Sequence, residues 1–92
     1  MLRRVEISKQ AEKQLRRIPV HIVLALHAWV RDVETNGLDE VRKVPGYHDE
    51  PLKGDRAGQR SIRLNRVWRA IYVIKGDVAQ FVSVEEVTPH RY

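Results

Sequence analysis

The chain has 92 residues, 42% of them apolar and 32% charged, no cysteine and a formal net charge of +5. This length and balance describe one small globular domain spanning residues 1–92, and they exclude a disordered chain, a disulfide scaffold and a thiolate zinc site. No stretch approaches the roughly 20 apolar residues that span a bilayer. No apolar run follows the charged start "MLRRVEISKQ" as a secretory signal requires, so a cytoplasmic protein without membrane contact is expected.

Taken in chain order, "LRRVEIS" carries Leu2, Val5 and Ile7 and predicts a short first strand. Ser8 is a suitable N-cap for a helix through "KQAEKQLRRI", in which Ala11, Leu15 and Ile18 recur at helical spacing. Pro19 ends that helix and opens a second one. The second helix places Ile22, Val23, Leu26, Trp29, Val30 and Val33 on one stripe, and Asn36-Gly37 is its stop signal. From Leu38 to Gly58 a connection rich in Pro and Gly follows, with an extended piece expected within "EVRKVPGY". "RSIRLN", "VWRAIYVIK" and "VAQFVSVEEV" then read as three strands, joined by tight turns at Asn65-Arg66 and Gly76-Asp77. The order strand, two helices, three strands predicts an α+β fold: a helical hairpin packed on one face of a small, twisted, mostly antiparallel sheet. Trp29 and Trp68 are expected in the core.

The charge is unevenly placed. From Lys53 to Lys75 there are seven Lys or Arg against one acid, whereas the other residues hold ten basic and eleven acidic side chains. A block of this kind points to a polyanionic partner, where an even spread would serve solubility. Alternation says where the cations go. In "RSIRLN", Ile62 and Leu64 share a face and leave Arg63 on the other; in "VWRAIYVI", Trp68, Ala70, Tyr72 and Ile74 share a face and leave Arg69 on the other. If the apolar sets meet the helices, Arg63 and Arg69 project from the open side of the sheet, flanked by Lys53 and Arg56 from the preceding loop.

The segment "PLKGDRAGQRSIRLNRVWRAIY", with the ending "VEEVTPHRY", resembles the bacterial RelE/HigB-type toxins of type II toxin–antitoxin modules. The resemblance rests on Leu52-Lys53-Gly54, Ser61-Ile62, Trp68-Arg69 and the terminal His90-Arg91-Tyr92, and it extends over essentially the whole chain. It implies a compact toxin that enters the ribosomal A site and cleaves the messenger RNA there. It implies no cofactor, and a cognate antitoxin partner, often with a helix-turn-helix DNA-binding domain, that masks the toxin. Two other readings stay open: a non-catalytic relative of the ParE toxins that inhibits gyrase, and an RNA-binding module without activity.

Metal-free RNA cleavage uses the substrate's own 2′-hydroxyl as nucleophile. It needs a base for that proton, cations for the pentacoordinate phosphate and an acid for the leaving 5′ oxygen. Lys53, Arg63 and Arg69 suit the phosphate, because guanidinium forks match its oxygens; Arg56, Arg60 and Arg66 extend the RNA grip. For proton transfer the sequence offers His90 first. Tyr92 would stack on a base or donate a proton, and His48 and Glu50 are alternatives. Some relatives carry His at the position of Glu50 and Arg at that of Asn65, so the acid–base roles are less fixed than the phosphate contacts. Glu85 and Glu86 are candidates to orient Arg69 or Arg63. Arg3, Arg4, Arg16 and Arg17 read as surface charge or as peripheral contacts to ribosomal RNA. The four histidines show no metal-ligand spacing.

Overall fold

Ser8 connects the first two elements. In the computed structural model, which describes residues 1–89, strand β1 (Val5–Ile7) runs into helix α1 (Lys9–Leu15). Ser8 is extended, and its Oγ accepts the Ala11 N–H at 3.1 Å while donating to the Glu85 carbonyl, also at 3.1 Å. One hydroxyl thus caps the helix and ties its start to the last strand. The helix ends earlier than Pro19 predicts, at Leu15, with a turn before Pro19 serves as N-cap of α2 (Val20–Asn36). The stripe expected on α2 is present: Ile22, Leu26, Trp29 and Val33 are buried, and Val30 packs against the same core.

The following segment corrects the sequence reading. The chain turns at Gly37, whose φ of +85° favours glycine, and enters a single helical turn, α3 (Leu38–Val41). Leu38 and Val41 are buried, and Asp39 and Glu40 stand in its first turn, where carboxylates favour the helix dipole. A 3-10 turn, Pro45–Tyr47, comes next, so "EVRKVPGY" is largely helical and the extended piece lies later, in β2 (Glu50–Pro51). Periodicity cannot reveal one helical turn, because a stripe needs at least two turns to repeat. A second 3-10 turn, Gly54–Arg56, precedes β3 (Arg60–Arg63), β4 (Trp68–Lys75) and β5 (Phe81–Pro89).

The five strands form one sheet in the order β1-β5-β4-β3-β2, antiparallel except where β1 runs parallel to β5. The β3–β4 turn is fastened by Asn65, whose Oδ1 accepts the Val67 and Trp68 N–H groups at 2.8 and 2.7 Å. The β4–β5 connection is longer than a tight turn, running over residues 76–80.

One face of the sheet, with Ile62, Ala70, Tyr72, Val82, Val84 and Val87, packs against the helical stripe. Trp29 and Tyr72 meet there, ring centroids 5.3 Å apart at 40°, a favourable tilted contact. The Tyr72 hydroxyl donates to Asp49 at 2.5 Å and accepts from Arg42 Nε at 3.4 Å, while Arg60 Nε donates to Asp49 at 2.6 Å. The Asp49 side chain is 1% exposed, so this network satisfies a carboxylate that would be costly to bury alone. Burial and the hydrogen bond to Asp49 push Tyr72 up to about 12. Burial opposes the Arg60 charge, yet its hydrogen bond and attraction to Asp49 hold it above the ordinary guanidinium range. Tyr47 is likewise raised to about 12, by burial and then by its 3.0 Å hydrogen bond to Asp32.

Candidate functional site

The face of the sheet away from the helices is organised by the β3–β4 register. Arg63 stands directly opposite Arg69, and Arg69 is in turn opposite Thr88 of β5. Side chains directly opposite share a face, with Cβ atoms about 4.5–5.5 Å apart, and like charges there repel. Arg63 is exposed and Arg69 half-buried. The Arg69 Nε is buried without a hydrogen-bond partner among the described residues, and its Nη1 lies 3.5 Å from Ser61 Oγ. Unspent donors on two facing guanidiniums make a receptor for an oxyanion.

The next pair along the hairpin is Ser61 opposite Ile71, with Ile71 opposite Glu86. Glu86 takes the Arg56 guanidinium as an ion pair, and Arg56 Nε also donates to Gln59 Oε1 at 2.7 Å. That ion pair latches the Gly54–Arg56 turn to the sheet face, and Lys53, just before the turn, is left exposed. The carboxylate expected to orient Arg69 or Arg63 thus holds Arg56 instead. Glu85 lies 3.2 Å from Lys75 and accepts from Ser83 Oγ at 2.8 Å.

The two possible acid–base residues of the loop stand at the β2 edge. Glu50 is directly opposite Ser61, which places it on the face that bears Arg63 and Arg69. His48 adopts a left-handed backbone (φ 49°), and its Nε2 lies 3.4 Å from Glu50 Oε2. The register therefore puts Arg63, Arg69 and Glu50 on one face, to which Glu86 holds Arg56; His48 lies beside Glu50, and Lys53 directly precedes the turn that carries Arg56. It sends Arg60 to the other, where Arg60 lines up with Tyr72 and binds Asp49. The sequence reading of Arg60 as an RNA contact missed this because Arg60 is two positions from the core residue Ile62, on the same side of the pleat. Arg66 is exposed in the β3–β4 turn.

His90 and Tyr92 lie outside the described residues. The last described residue, Pro89, is paired with Trp68, one residue from Arg69 along β4. Ser61 had no role in the sequence reading but was discoverable, since it precedes Arg63 by two positions in a strand; Glu86 was expected at the sheet face, but its partner was not legible. Its pairing with Arg56 depends on how the loop folds. Among the described residues no three His, Cys, Asp or Glu side chains come together as a metal-binding group, and no helix is long and apolar enough to cross a membrane.

This fold, with a helical pair on one side of the sheet and a cationic hairpin on the other, is shared with solved structures described as toxins and toxin–antitoxin complexes. The chain is similar to the RelBE2 toxin–antitoxin complex of Mycobacterium tuberculosis, with TM-score 0.71 and 21% identity over 98% of this chain and 100% of that one. It is also similar to the YoeB/ParE toxin of Agrobacterium tumefaciens (TM-score 0.68, 21% identity, 96% and 99% covered). A third likeness is to YafQ of E. coli (TM-score 0.65, 22% identity, 96% and 93% covered). No protein-family model matches the chain, and no curated protein sequence matches it significantly. At such identities the likeness establishes the fold.

Proposed function

We propose that this protein is the toxin of a type II toxin–antitoxin module and acts in the cytoplasm as a ribosome-dependent, metal-independent endoribonuclease on A-site messenger RNA. The observation that carries the reading is the Arg63–Arg69 pair, two facing guanidiniums with spare donors on the sheet face opposite the α2 stripe. The RelE-type fold, shared with structures described as toxins and as toxin–antitoxin complexes, supports it.

In the proposed reaction a base removes the 2′ proton and the 2′ oxygen bonds to the adjacent phosphorus. The P–O5′ bond then breaks, an acid protonates the departing oxygen, and the products are a 2′,3′-cyclic phosphate and a free 5′-hydroxyl. Arg63, Arg69 and Lys53 hold the phosphate and offset the charge that grows on it; removing one such stabiliser typically costs on the order of 10²–10³ in rate. His48 and Glu50 border the face and, with His90 and Tyr92 from the chain's end, supply the proton-transfer groups. A cognate antitoxin, with an acidic or complementary segment over the basic face and a helix-turn-helix domain, is the expected partner.

The test is 5′-end mapping of a defined messenger with and without programmed ribosomes, in EDTA. Cuts that need ribosomes and survive the chelator support the reading. Growth arrest by the folded protein without any cuts would overturn it and direct attention to gyrase. His90→Gln should remove cleavage while leaving binding intact.

A further inference from the structure

The short segment that carries His48 and Glu50 is pinned from the core side of the sheet. Exposure alternates along it: Tyr47 and Asp49 are sheltered, whereas His48 and Glu50 are exposed. Tyr47 donates its hydroxyl to Asp32 of α2 at 3.0 Å. The Asp49 side chain, 1% exposed, takes one bond on each oxygen, from Arg60 Nε at 2.6 Å and from the Tyr72 hydroxyl at 2.5 Å. The sheltered residues are thus anchors, and the exposed ones are the two proton-transfer candidates of the loop.

Backbone pairing does little to hold this segment. β2 is two residues long, and its Pro51 has no N–H to give. Nor does stability account for a buried carboxylate here, since apolar residues of similar volume are often as stable as a buried ion pair. What the anchor fixes is register. Its two holders, Arg60 and Tyr72, stand opposite one another across β3 and β4. The next pair along the hairpin is Ser61 with Ile71, on the other face, and Glu50 is opposite Ser61. Ser61 Oγ in turn lies 3.5 Å from Arg69 Nη1. Clamping Asp49 to Arg60 and Tyr72 therefore sets Glu50 beside the serine that touches Arg69. Among the described residues the Glu50 carboxylate meets His48 and no arginine, which leaves it able to accept a proton.

We propose that Asp49 is a positioning residue: clasped by Arg60 and Tyr72 on the core side, it holds Glu50 at the Arg63–Arg69 face in the geometry that proton transfer needs. The proposal rests on the RNA-cleaving reading of that face and alters none of its phosphate-binding cations. Its test is a double-mutant cycle on cleavage of a message in programmed ribosomes, with Asp49→Asn, Glu50→Gln and the two combined. Tyr72→Phe, alone and with Glu50→Gln, replaces Asp49→Asn in the cycle if that variant folds poorly. Circular dichroism and a thermal melt check each fold, and kcat and the KM for ribosomes are measured separately.

Misplacing a reacting group by about 1 Å can cost on the order of 10²-fold in rate, so Asp49→Asn should lower kcat by about 10- to 100-fold and leave KM within about twofold. Tyr72→Phe, which keeps the Arg60 bond, should lower kcat by less. In the Glu50→Gln background either substitution should cost no more than about a further twofold, because a residue that acts through Glu50 has nothing left to position. An equal loss in both backgrounds overturns the proposal, since Asp49 then supports the fold at large. So does an unchanged kcat, and so does Glu50→Gln cleaving at the wild-type rate, which leaves Asp49 nothing to act through. Wild type that binds ribosomes without making cuts overturns the cleavage reading and the proposal with it; cuts by wild type together with an additive cycle reject the positioning role alone.

Discussion

Arg63 and Arg69 face one another across the β3–β4 hairpin, and the Arg69 Nε is buried with no partner among the described residues. Facing like charges and an unsatisfied buried donor each weaken a fold, so this pair is maintained at a cost to stability. A bound phosphate removes the first of these penalties, the repulsion between the facing charges. Arg69→Met should therefore lower cleavage by about 10²–10³ while leaving the thermal midpoint unchanged or higher. Parallel end-mapping rates and calorimetric melts check it. A melt lowered by many degrees would mean that Arg69 is structural and that the rate loss says nothing about phosphate.

Among the described residues, Glu86 is the one carboxylate paired with a cation of the Gly54–Arg56 turn. Glu86→Gln releases Arg56 to the sheet face and adds one net positive charge there. Non-specific RNA binding should become tighter and more salt-dependent, with a slope steeper by about 0.7. Cleavage should fall, because the turn that follows Lys53 loses its latch. Anisotropy with oligo(U) and the end-mapping assay read the two effects, and a gain in both would show that the latch restrains the proposed site rather than assembling it.

Much of this was legible in the sequence where the physics is local and repeats. Period-two alternation put Arg63 and Arg69 opposite the apolar set, and the α2 stripe predicted Ile22, Leu26, Trp29 and Val33 in the core. The same alternation places Ile62 and Tyr72 on the core side and, two positions before Ile62, Arg60 with them. What could not be read was set by tertiary contacts. α3 is one turn long, Asp49 finds Arg60 and Tyr72 only once the connection has folded, and Glu86 reaches Arg56 across the sheet. The parallel pairing of β1 with β5 is likewise fixed by where the helical pair returns the chain, about which "VEI" carries no local signal.

The β4–β5 connection depends on Gly76, with φ of +96°; a Cβ there would stand 2.2 Å from the Ala79 carbonyl oxygen. That atom is backbone and cannot move aside without opening the loop. Gly76→Ala should cost about 1–3 kcal/mol, a fall of roughly 4–8 °C per kcal/mol in a domain of this size. Urea melts give the loss directly. Because the loop is at the far end of β4 from Arg69, RNA affinity of the folded fraction should not change.

Tyr72 joins the core to the Asp49–Arg60 network, and its pKa near 12 has a consequence for alkaline stability. The unfolded phenol ionises near about pH 10, so between about pH 10 and 12 the unfolded state holds fewer protons than the folded one. Stability then falls as pH rises: the contribution of Tyr72 is complete below about pH 10 and is lost on passing through the folded pKa. Tyr47, also raised to about 12, acts in the same direction. Tyr72→Phe removes the phenol's titration and leaves Asp49 with Arg60 as its hydrogen-bond donor, at a cost of about 1–3 kcal/mol near neutral pH. Urea unfolding followed from about pH 8 to pH 11 should show wild type converging on the variant as the pH climbs. Parallel curves, with a constant gap between the two proteins, would show that the Tyr72 hydroxyl is not held in its neutral form by the fold.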